Sequence, residues 1–82
     1  MRGLRVEFRL DGDEWVRSVL VELPDEVRPE VVELAKSVAA ENMADLIEKS
    51  TIFSVTTEHG DVMVFHPNRI MRVRVYEDSQ DG

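Results

Sequence analysis

Residues 4–23 read LRVEFRLDGDEWVRSVLVEL. Apolar and charged side chains alternate along the first seven of these residues, which is the period-two pattern of a β-strand with one buried face. The Asp11-Gly12 pair that follows is typical of a tight turn, because both residue types tolerate positive φ. A second strand is expected from Trp15 to Leu23. The stretch therefore predicts a β-hairpin at the start of the chain.

The next segment predicts one long helix. Pro24 ends the second strand because proline donates no ladder hydrogen bond, and Asp25 is the expected N-cap of the helix. Apolar residues then recur with a period of about 3.6, in two stripes that differ by about a third of a turn. The first stripe contains Val27, Val31, Leu34 and Val38, and the second contains Met43, Leu46 and Ile47. We expect the helix to end at about Lys49, and either to kink near residues 40–42 or to pack its two halves on different surfaces.

Three further strands are expected after the helix, from their β-branched residues and alternating patterns. They cover residues 50–57, 62–66 and 69–76, with turns at 58–61 and 67–68. The order ββαβββ predicts one small α+β domain, with an antiparallel sheet and a helix packed on it. We expect residues 1–76 to form this domain and residues 77–82 to form a flexible acidic tail. Residues 57–70 resemble the hairpin-then-strand ending of many small bacterial and phage proteins, and this resemblance implies no particular function.

The registers of the two hairpins decide which apolar side chains the helix can cover, because facing residues of an antiparallel pair share one side of the sheet. We expect an even number of loop residues after Leu10 and a turn centred between His59 and Gly60. These registers leave apolar side chains on both faces of each hairpin, although a single helix covers only one face. The side chains expected on the uncovered faces are Val16, Leu20, Ile52, Met63 and Phe65.

The uncovered side chains predict self-association. Burying each of them contributes roughly 1.5–3 kcal/mol, and a chain this short gains little stability from its own core. We therefore expect a homodimer in which a second copy covers the apolar sheet face. The alternatives are a sheet that curls into a small barrel and a bent helix that covers parts of two faces. Trp15 is a further candidate contact residue, or a core residue that closes the end of the sheet.

Charge is distributed unevenly along this chain, whose formal net charge is −7. Residues 22–48 are strongly acidic, whereas the predicted strands carry most of the arginines. The candidates for contact with an anion or a partner are Arg5, Arg9, Arg17, Arg72 and Arg74. Guanidinium groups pair well with carboxylates and phosphates; alternatively, these arginines form cross-strand ion pairs that only keep the strands soluble. The net negative charge makes nucleic acid an unfavourable partner.

No group of residues indicates catalysis. The sequence contains no cysteine, which excludes disulfides, cysteine-ligated zinc and thiol catalysis. His59 and Asp61 share a turn, but His66 lies at the far end of the next strand, about 16 Å away by strand rise. We therefore expect no metal site, no cofactor and no catalytic residue, and the chain is predicted not to be an enzyme.

These patterns together favour a binding function. No apolar run approaches the roughly 18 residues of a membrane-spanning helix, and no secretory signal is recognisable, so a cytoplasmic protein is expected. The sequence predicts a non-enzymatic protein-interaction or assembly module that forms a homodimer and has another protein as a further candidate partner. One alternative is a binder of anionic ligands or nucleic acid that uses the arginine-rich sheet face. Another is an inhibitor whose acidic helix mimics a nucleic acid.

Overall fold

The computed structural model describes residues 1–80 and has the predicted α+β architecture. The elements in chain order are β1 (Arg2–Leu10), β2 (Glu14–Arg17), β3 (Val21–Glu22), α1 (Pro29–Lys49), β4 (Phe53–Thr56), β5 (Val62–Phe65) and β6 (Ile70–Ser79). Short 3₁₀ turns precede β2 and β6. The expected second strand is broken into β2 and β3, so the order is strand, broken strand, helix and three strands. The predicted fold class is confirmed.

Strand β1 is the centre of the main sheet. It pairs antiparallel with β2 and β3 on one side and with β6 along its whole length on the other. The pairing with β6 is irregular between Arg9 and Leu10. Because alternate residues of β1 point to opposite sides, one face of the sheet carries Val6 and Phe8 and the other carries Glu7 and Arg9. We call these the inner and the outer face.

The β4–β5 hairpin joins the main sheet at the break between β2 and β3. Ser18 forms an isolated antiparallel bridge with Thr57. The Val19 N–H donates to the Thr56 carbonyl at 2.9 Å, and the Glu58 N–H donates to the Arg17 carbonyl at 3.0 Å. These bonds attach the hairpin to the edge of the main sheet and allow it to fold over the inner face.

The core forms where the hairpin meets the inner face, around three phenylalanines. The ring of Phe8 lies 5.5 Å from that of Phe53 and 6.1 Å from that of Phe65, both in edge-to-face arrangements. Leu10, Val16 and Val55 complete the buried cluster, and Val6, Met43, Ile47, Met63, Ile70 and Val73 pack against it. The curled sheet thus encloses most of its own apolar face, with help from the second half of the helix.

The expected register of the first hairpin is wrong by one residue. Strand β1 pairs Phe8 with Val16 and Arg9 with Trp15, so the loop has three residues rather than two or four. Gly12 and Asp13 both adopt positive φ, 74° and 60°, which closes this odd-numbered loop. A shift of one residue moves every side chain to the opposite face. Val16 therefore enters the core, and Trp15 joins the outer face.

The expected register of the second hairpin, β4–β5, is also wrong. Phe53 pairs with Phe65 and Val55 pairs with Met63, so the turn is centred on His59 and contains five residues. The Thr57 N–H donates to the Asp61 carbonyl, and the Thr57 hydroxyl donates to the Asp61 carboxylate. All four paired side chains face the core, whereas Val62 and Val64 face solvent. The expected turn centre between His59 and Gly60 is therefore wrong, and Met63 rather than Val64 lies opposite Val55.

Helix α1 is a single 21-residue helix that ends at Lys49, as expected, but it begins later and packs differently. Pro29 occupies its first turn and Arg28 is the N-cap, so the expected cap at Asp25 is wrong. Only Val32 is buried, and the half-buried side is continued by Ala39, Met43 and Ile47. The first expected stripe, represented by Val31, Leu34 and Val38, is exposed. The helix packs by Met43 and Ile47 of the second stripe and by the same side towards the N-terminus, whereas Leu46 of that stripe is exposed.

The expected tail is partly strand. Strand β6 continues through Ser79, and the Gln80 N–H donates to the Met1 carbonyl at 2.9 Å. Glu77 lies opposite Leu4 in this pairing. The sheet therefore extends three residues beyond the expected end of the domain, and residues 81–82 of the expected tail lie outside the described residues.

The register of the β4–β5 hairpin is tested by two matched substitutions. Val55→Ala, at a position 6% exposed, is expected to lower the free energy of unfolding by roughly 2 kcal/mol through lost burial and a cavity. Val64→Ala, at a position 59% exposed, is expected to change it by less than about 0.5 kcal/mol. Urea unfolding measures both. Equal losses would contradict the register, because they would place both valines on one face.

The orientation of α1 is tested by adjacent valines. Val32 is 3% exposed and Val31 is 43% exposed. Val32→Ala is expected to cost roughly 2 kcal/mol of stability, whereas Val31→Ala is expected to be within about 0.5 kcal/mol of the wild type. Thermal and urea unfolding of both variants provide the measurement. A larger loss at Val31 would show that the helix packs by its first stripe instead.

Candidate interaction surface

The outer face of the main sheet brings all five predicted arginines together. Arg5 and Arg9 come from β1, Arg17 comes from β2, and Arg72 and Arg74 come from β6. Their common face follows from the cross-strand pairs, which place Arg9 opposite Arg72 and Glu7 opposite both Arg17 and Arg74. Arg17 shares this face because the loop between β1 and β2 has three residues. A loop with an even number of residues would have placed Arg17 on the inner face.

Glu7 is buried at the centre of this face. Its carboxylate accepts a hydrogen bond from Arg17 Nε at 3.0 Å and lies 3.4 Å from Arg74 Nη2. Both arginine side chains are about half exposed, so their guanidinium groups remain open to solvent on one side. The buried carboxylate of Glu7 thus orients two exposed guanidinium groups. Because one negative charge faces two positive charges, this cluster has a net positive charge.

Arg5 is not available to a ligand. Its guanidinium donates to Asp78 Oδ2 and to the Ser18 carbonyl, both at 2.8 Å, and lies 3.7 Å from the Glu58 carboxylate. The side chain is almost entirely buried by these partners. Arg5 therefore ties the end of β6 to the break between β2 and β3, and the expectation that it contacts an anion or a partner is wrong.

Trp15 lies at the exposed edge of the outer face, with about half of its surface open to solvent. The Arg9 guanidinium lies 5.4 Å from the centre of its ring, within the range of a cation–π contact. Arg9 also donates to Asp13 at 2.9 Å. The alternative interpretation of Trp15 as a core residue is therefore wrong, and its role as a contact residue stays a prediction.

The apolar sheet face expected to form the dimer is instead the core of one chain. Val16, Leu20 and Phe65 are buried, and Met63 packs against the core. Ile52 alone of these five candidates is well exposed. The register shift of the two hairpins turned Val16, Met63 and Phe65 inward. Leu20 lies at the end of the strand break, beside the pair of Leu4 and Val21, and is buried next to Gly3. A second copy has nothing to cover on that surface.

A different apolar surface is exposed, and the sequence patterns had assigned it to the core. It includes Val31, Leu34 and Val38 on the outward side of α1, Val19 and Val21 beside the strand break, and Val62 and Val64 on the outer side of β5. An apolar groove of about 280 Å³ lies between Met43 of the helix and Val19, Val21 and Phe53. The chain therefore exposes several apolar patches around a small core.

The free edge of β6 is the feature that side-chain patterns missed. Within residues 1–80, β6 pairs only with β1. The hydrogen bonds between Met1 and Gln80 establish which pairs of this ladder are bonded. Because bonded and non-bonded pairs alternate in an antiparallel ladder, the backbone groups of Val73, Val75 and Glu77 point away from β1. An unpaired backbone edge of this length is a template for another strand.

The turn that contains His59 is closed by hydrogen bonds from Thr57. The hydroxyl of Thr57 hydrogen-bonds to the Asp61 carboxylate and lowers its pKa. The His59 backbone N–H donates to the same hydroxyl at 3.2 Å, and the His59 side chain is largely exposed. Within the described part of the chain, no group of three acidic or histidine side chains is placed to hold a metal ion.

The helix carries both paired and unpaired acids. Lys36 lies 2.7 Å from Glu33, and Lys49 lies 3.0 Å from Asp45, each one turn along the helix. No described helix combines the length and the apolar content that crossing a membrane requires. The ion pairs of Lys36 and Lys49 neutralise part of the negative charge of the helix. They therefore weaken the alternative in which the acidic helix mimics a nucleic acid.

Comparisons with known proteins provide no match: no protein-family model, no curated protein and no solved structure is significantly similar to this chain.

The ion pair between Arg5 of β1 and Asp78 of β6 predicts that the stability of the fold depends on pH. The Ser79 backbone N–H and Arg5 lower the pKa of the Asp78 carboxyl below its ordinary value of 3.8. A carboxyl whose pKa is lower in the folded than in the unfolded chain stabilises the fold while ionised, and this contribution is lost as the pH falls through its folded-state pKa. Asp78→Asn is therefore expected to lower the melting temperature at pH 7, and its difference from the wild type should shrink below about pH 4.

Thermal unfolding of the wild type and Asp78→Asn between acidic and neutral pH measures this effect. Asp25→Asn, at an exposed position outside the sheet, is the control for removing one carboxylate. A difference between Asp78→Asn and the wild type that stays constant with pH would show that Asp78 contributes by packing and not by its charge.

Proposed function

We propose that this protein is a non-enzymatic assembly module that acts in the cytoplasm and functions as a homodimer. The observation that carries this proposal is the free edge of β6, which pairs only with β1 within residues 1–80. An unpaired strand edge is a template for another strand. Helix α1 is also poorly buried, with one residue of 21 buried, so the exposed stripe of Val31, Leu34 and Val38 is apolar surface left for a further partner protein.

Two further features support association. The exposed valines beside the strand break and on β5 add apolar area outside the helix, and exposed apolar patches mark interaction sites in small soluble proteins. The protomer also has a small core for its length, since only Phe8 and Leu10 among its large side chains are completely buried. Association would supply burial that the single chain lacks.

A second candidate function is the binding of an anionic ligand on the outer face of the sheet. It is supported by Arg17 and Arg74, which share a single carboxylate, and by the exposed Arg72, which takes part in none of the ion pairs among residues 1–80. It ranks second because Arg5 is fully engaged and Arg9 already pairs with Asp13. The excess positive charge of the face is small.

Sedimentation velocity across a wide range of protein concentration tests the assembly proposal. The expected result is a monomer–dimer equilibrium, with dimer predominating at micromolar concentration. The melting temperature should rise with protein concentration, because association stabilises the folded chain by mass action. A strictly monomeric chain whose melting temperature is independent of concentration would overturn the proposal.

A further inference from the structure

Strand β6 carries opposite charges in its two halves. On the outer face its side chains are, in order, Arg72, Arg74, Tyr76 and Asp78. On the inner face Val73 and Val75 are followed by Glu77. The first half is thus basic and the second half acidic. A strand of this kind is complementary to a second copy of itself that runs in the opposite direction.

We propose that two copies of this chain pair antiparallel through the free edges of β6, about a two-fold axis at Val75, so that the main sheet continues from one protomer into the next. This inference rests on the proposed homodimer and assigns its interface. A two-fold axis perpendicular to the sheet keeps the outer faces of both protomers on the same side, as closed dimers require.

The backbone groups on the edge restrict the possible registers. Val73, Val75 and Glu77 present their N–H and carbonyl groups outward, so they must form the hydrogen-bonded pairs of the new ladder. With the axis at Val75, this residue faces its own copy, and Val73 faces the partner's Glu77. The regular paired segment then covers residues 72–78, because Met71 lies in the irregularity between Arg72 and Ile70.

The side chains favour the same register. Arg72 lies opposite the partner's Asp78, and Arg74 lies opposite the partner's Tyr76, each twice by symmetry. Facing side chains in such pairs lie about 4.5–5.5 Å apart, and opposite charges or cation–aromatic pairs stabilise them. Arg74 already lies 4.7 Å from the centre of the Tyr76 ring within one chain, so both side chains are on the surface where the partner would meet them.

Neighbouring registers are less favourable. An axis at Arg74 brings two copies of this arginine face to face, and directly opposed like charges destabilise a sheet. An axis at Tyr76 pairs Arg74 with the partner's Asp78 but places Tyr76 against its own copy and Arg72 opposite the partner's uncharged Gln80. Parallel pairing in register places each charge against its own copy. The axis at Val75 places both Arg72 and Arg74 opposite an acidic or aromatic side chain.

No other strand among residues 1–80 pairs with this edge. Strand β6 contains no proline and no lysine, two residue types that commonly protect edge strands. Helix α1 contacts β6, and near the first residues of the strand it presents the small side chains of Ala40 and Ala44, beside a groove of about 410 Å³ that Ile70 and Val73 also line.

A proline substitution tests the edge with a matched control. Glu77→Pro removes an outward N–H and places a ring on the free side of β6, a position where edge strands tolerate proline. Glu77→Ala loses the same exposed ion pair with Arg2, at 2.6 Å, but keeps the N–H. In sedimentation velocity, Glu77→Pro is expected to be monomeric at concentrations at which the wild type and Glu77→Ala are dimeric. Circular dichroism verifies that each variant is folded.

A charge reversal tests the register without touching the backbone. Arg72→Glu places a carboxylate opposite the partner's Asp78 and is expected to weaken the dimer about tenfold or more. Arg28→Glu makes the same change in net charge at the exposed N-cap of α1, about 18 Å along the helix from Ala40, and is expected to leave the dimer unchanged. Leu34→Glu is the control for a helix-mediated interface and is also expected to leave it unchanged.

The outcomes separate the two proposals. A wild-type dimer that survives Glu77→Pro and Arg72→Glu overturns the assigned edge and leaves the assembly function standing, and loss of the dimer in Leu34→Glu alone moves the interface to the helix. If Glu77→Pro does not fold, Arg72→Glu against Arg28→Glu decides the assignment. A wild-type chain that never associates overturns both proposals.

Discussion

The packing of three phenylalanine rings is the contact on which the rest of this structure depends. Phe8 belongs to the main sheet, whereas Phe53 and Phe65 belong to the β4–β5 hairpin, and their ring centres lie 5.5–6.1 Å apart. They are all the phenylalanines of the chain. Two backbone hydrogen bonds attach the hairpin to the edge of the main sheet, but the rings fold it over the inner face. Without this cluster the hairpin would have no apolar surface to cover, and the second half of α1 would lose its support.

The elements of the fold were predictable from local patterns, whereas the faces were not. Alternation, helical periodicity and the Asp-Gly turn are local signals, and they located the strands and the end of the helix at Lys49. The side of each strand that becomes buried depends on the parity of the loop that precedes it, and one residue more or less reverses it. Gly12 and Asp13 both take positive φ and close a three-residue loop, a choice that their residue types allow but do not require. Val16 therefore lies in the core of one chain, where an even loop would have placed it on an interface.

The observed registers of the two hairpins also change which surface is available for association. Side-chain patterns describe burial and charge, and they placed the arginines correctly on a single sheet face once the loop length is known. They carry no information about which strand ends at the edge of a sheet, because pairing is a property of the backbone and of the whole topology. The free backbone groups of β6 arise because β1 is central and β4 attaches beside β2. The separation of basic and acidic side chains into the two halves of β6 becomes informative only after this edge is known to be open.

The central claim is that two copies of the chain associate through the free edge of β6. Amide hydrogen exchange, measured for each residue by NMR at low and high protein concentration, tests this claim most directly. If copies join through β6, the amides of Val73, Val75 and Glu77 exchange rapidly in dilute solution and become protected as the concentration rises. The amides of Arg74 and Tyr76, which donate to β1, stay protected throughout. Exchange at Val73, Val75 and Glu77 that remains rapid in a sample shown to be dimeric would contradict the account.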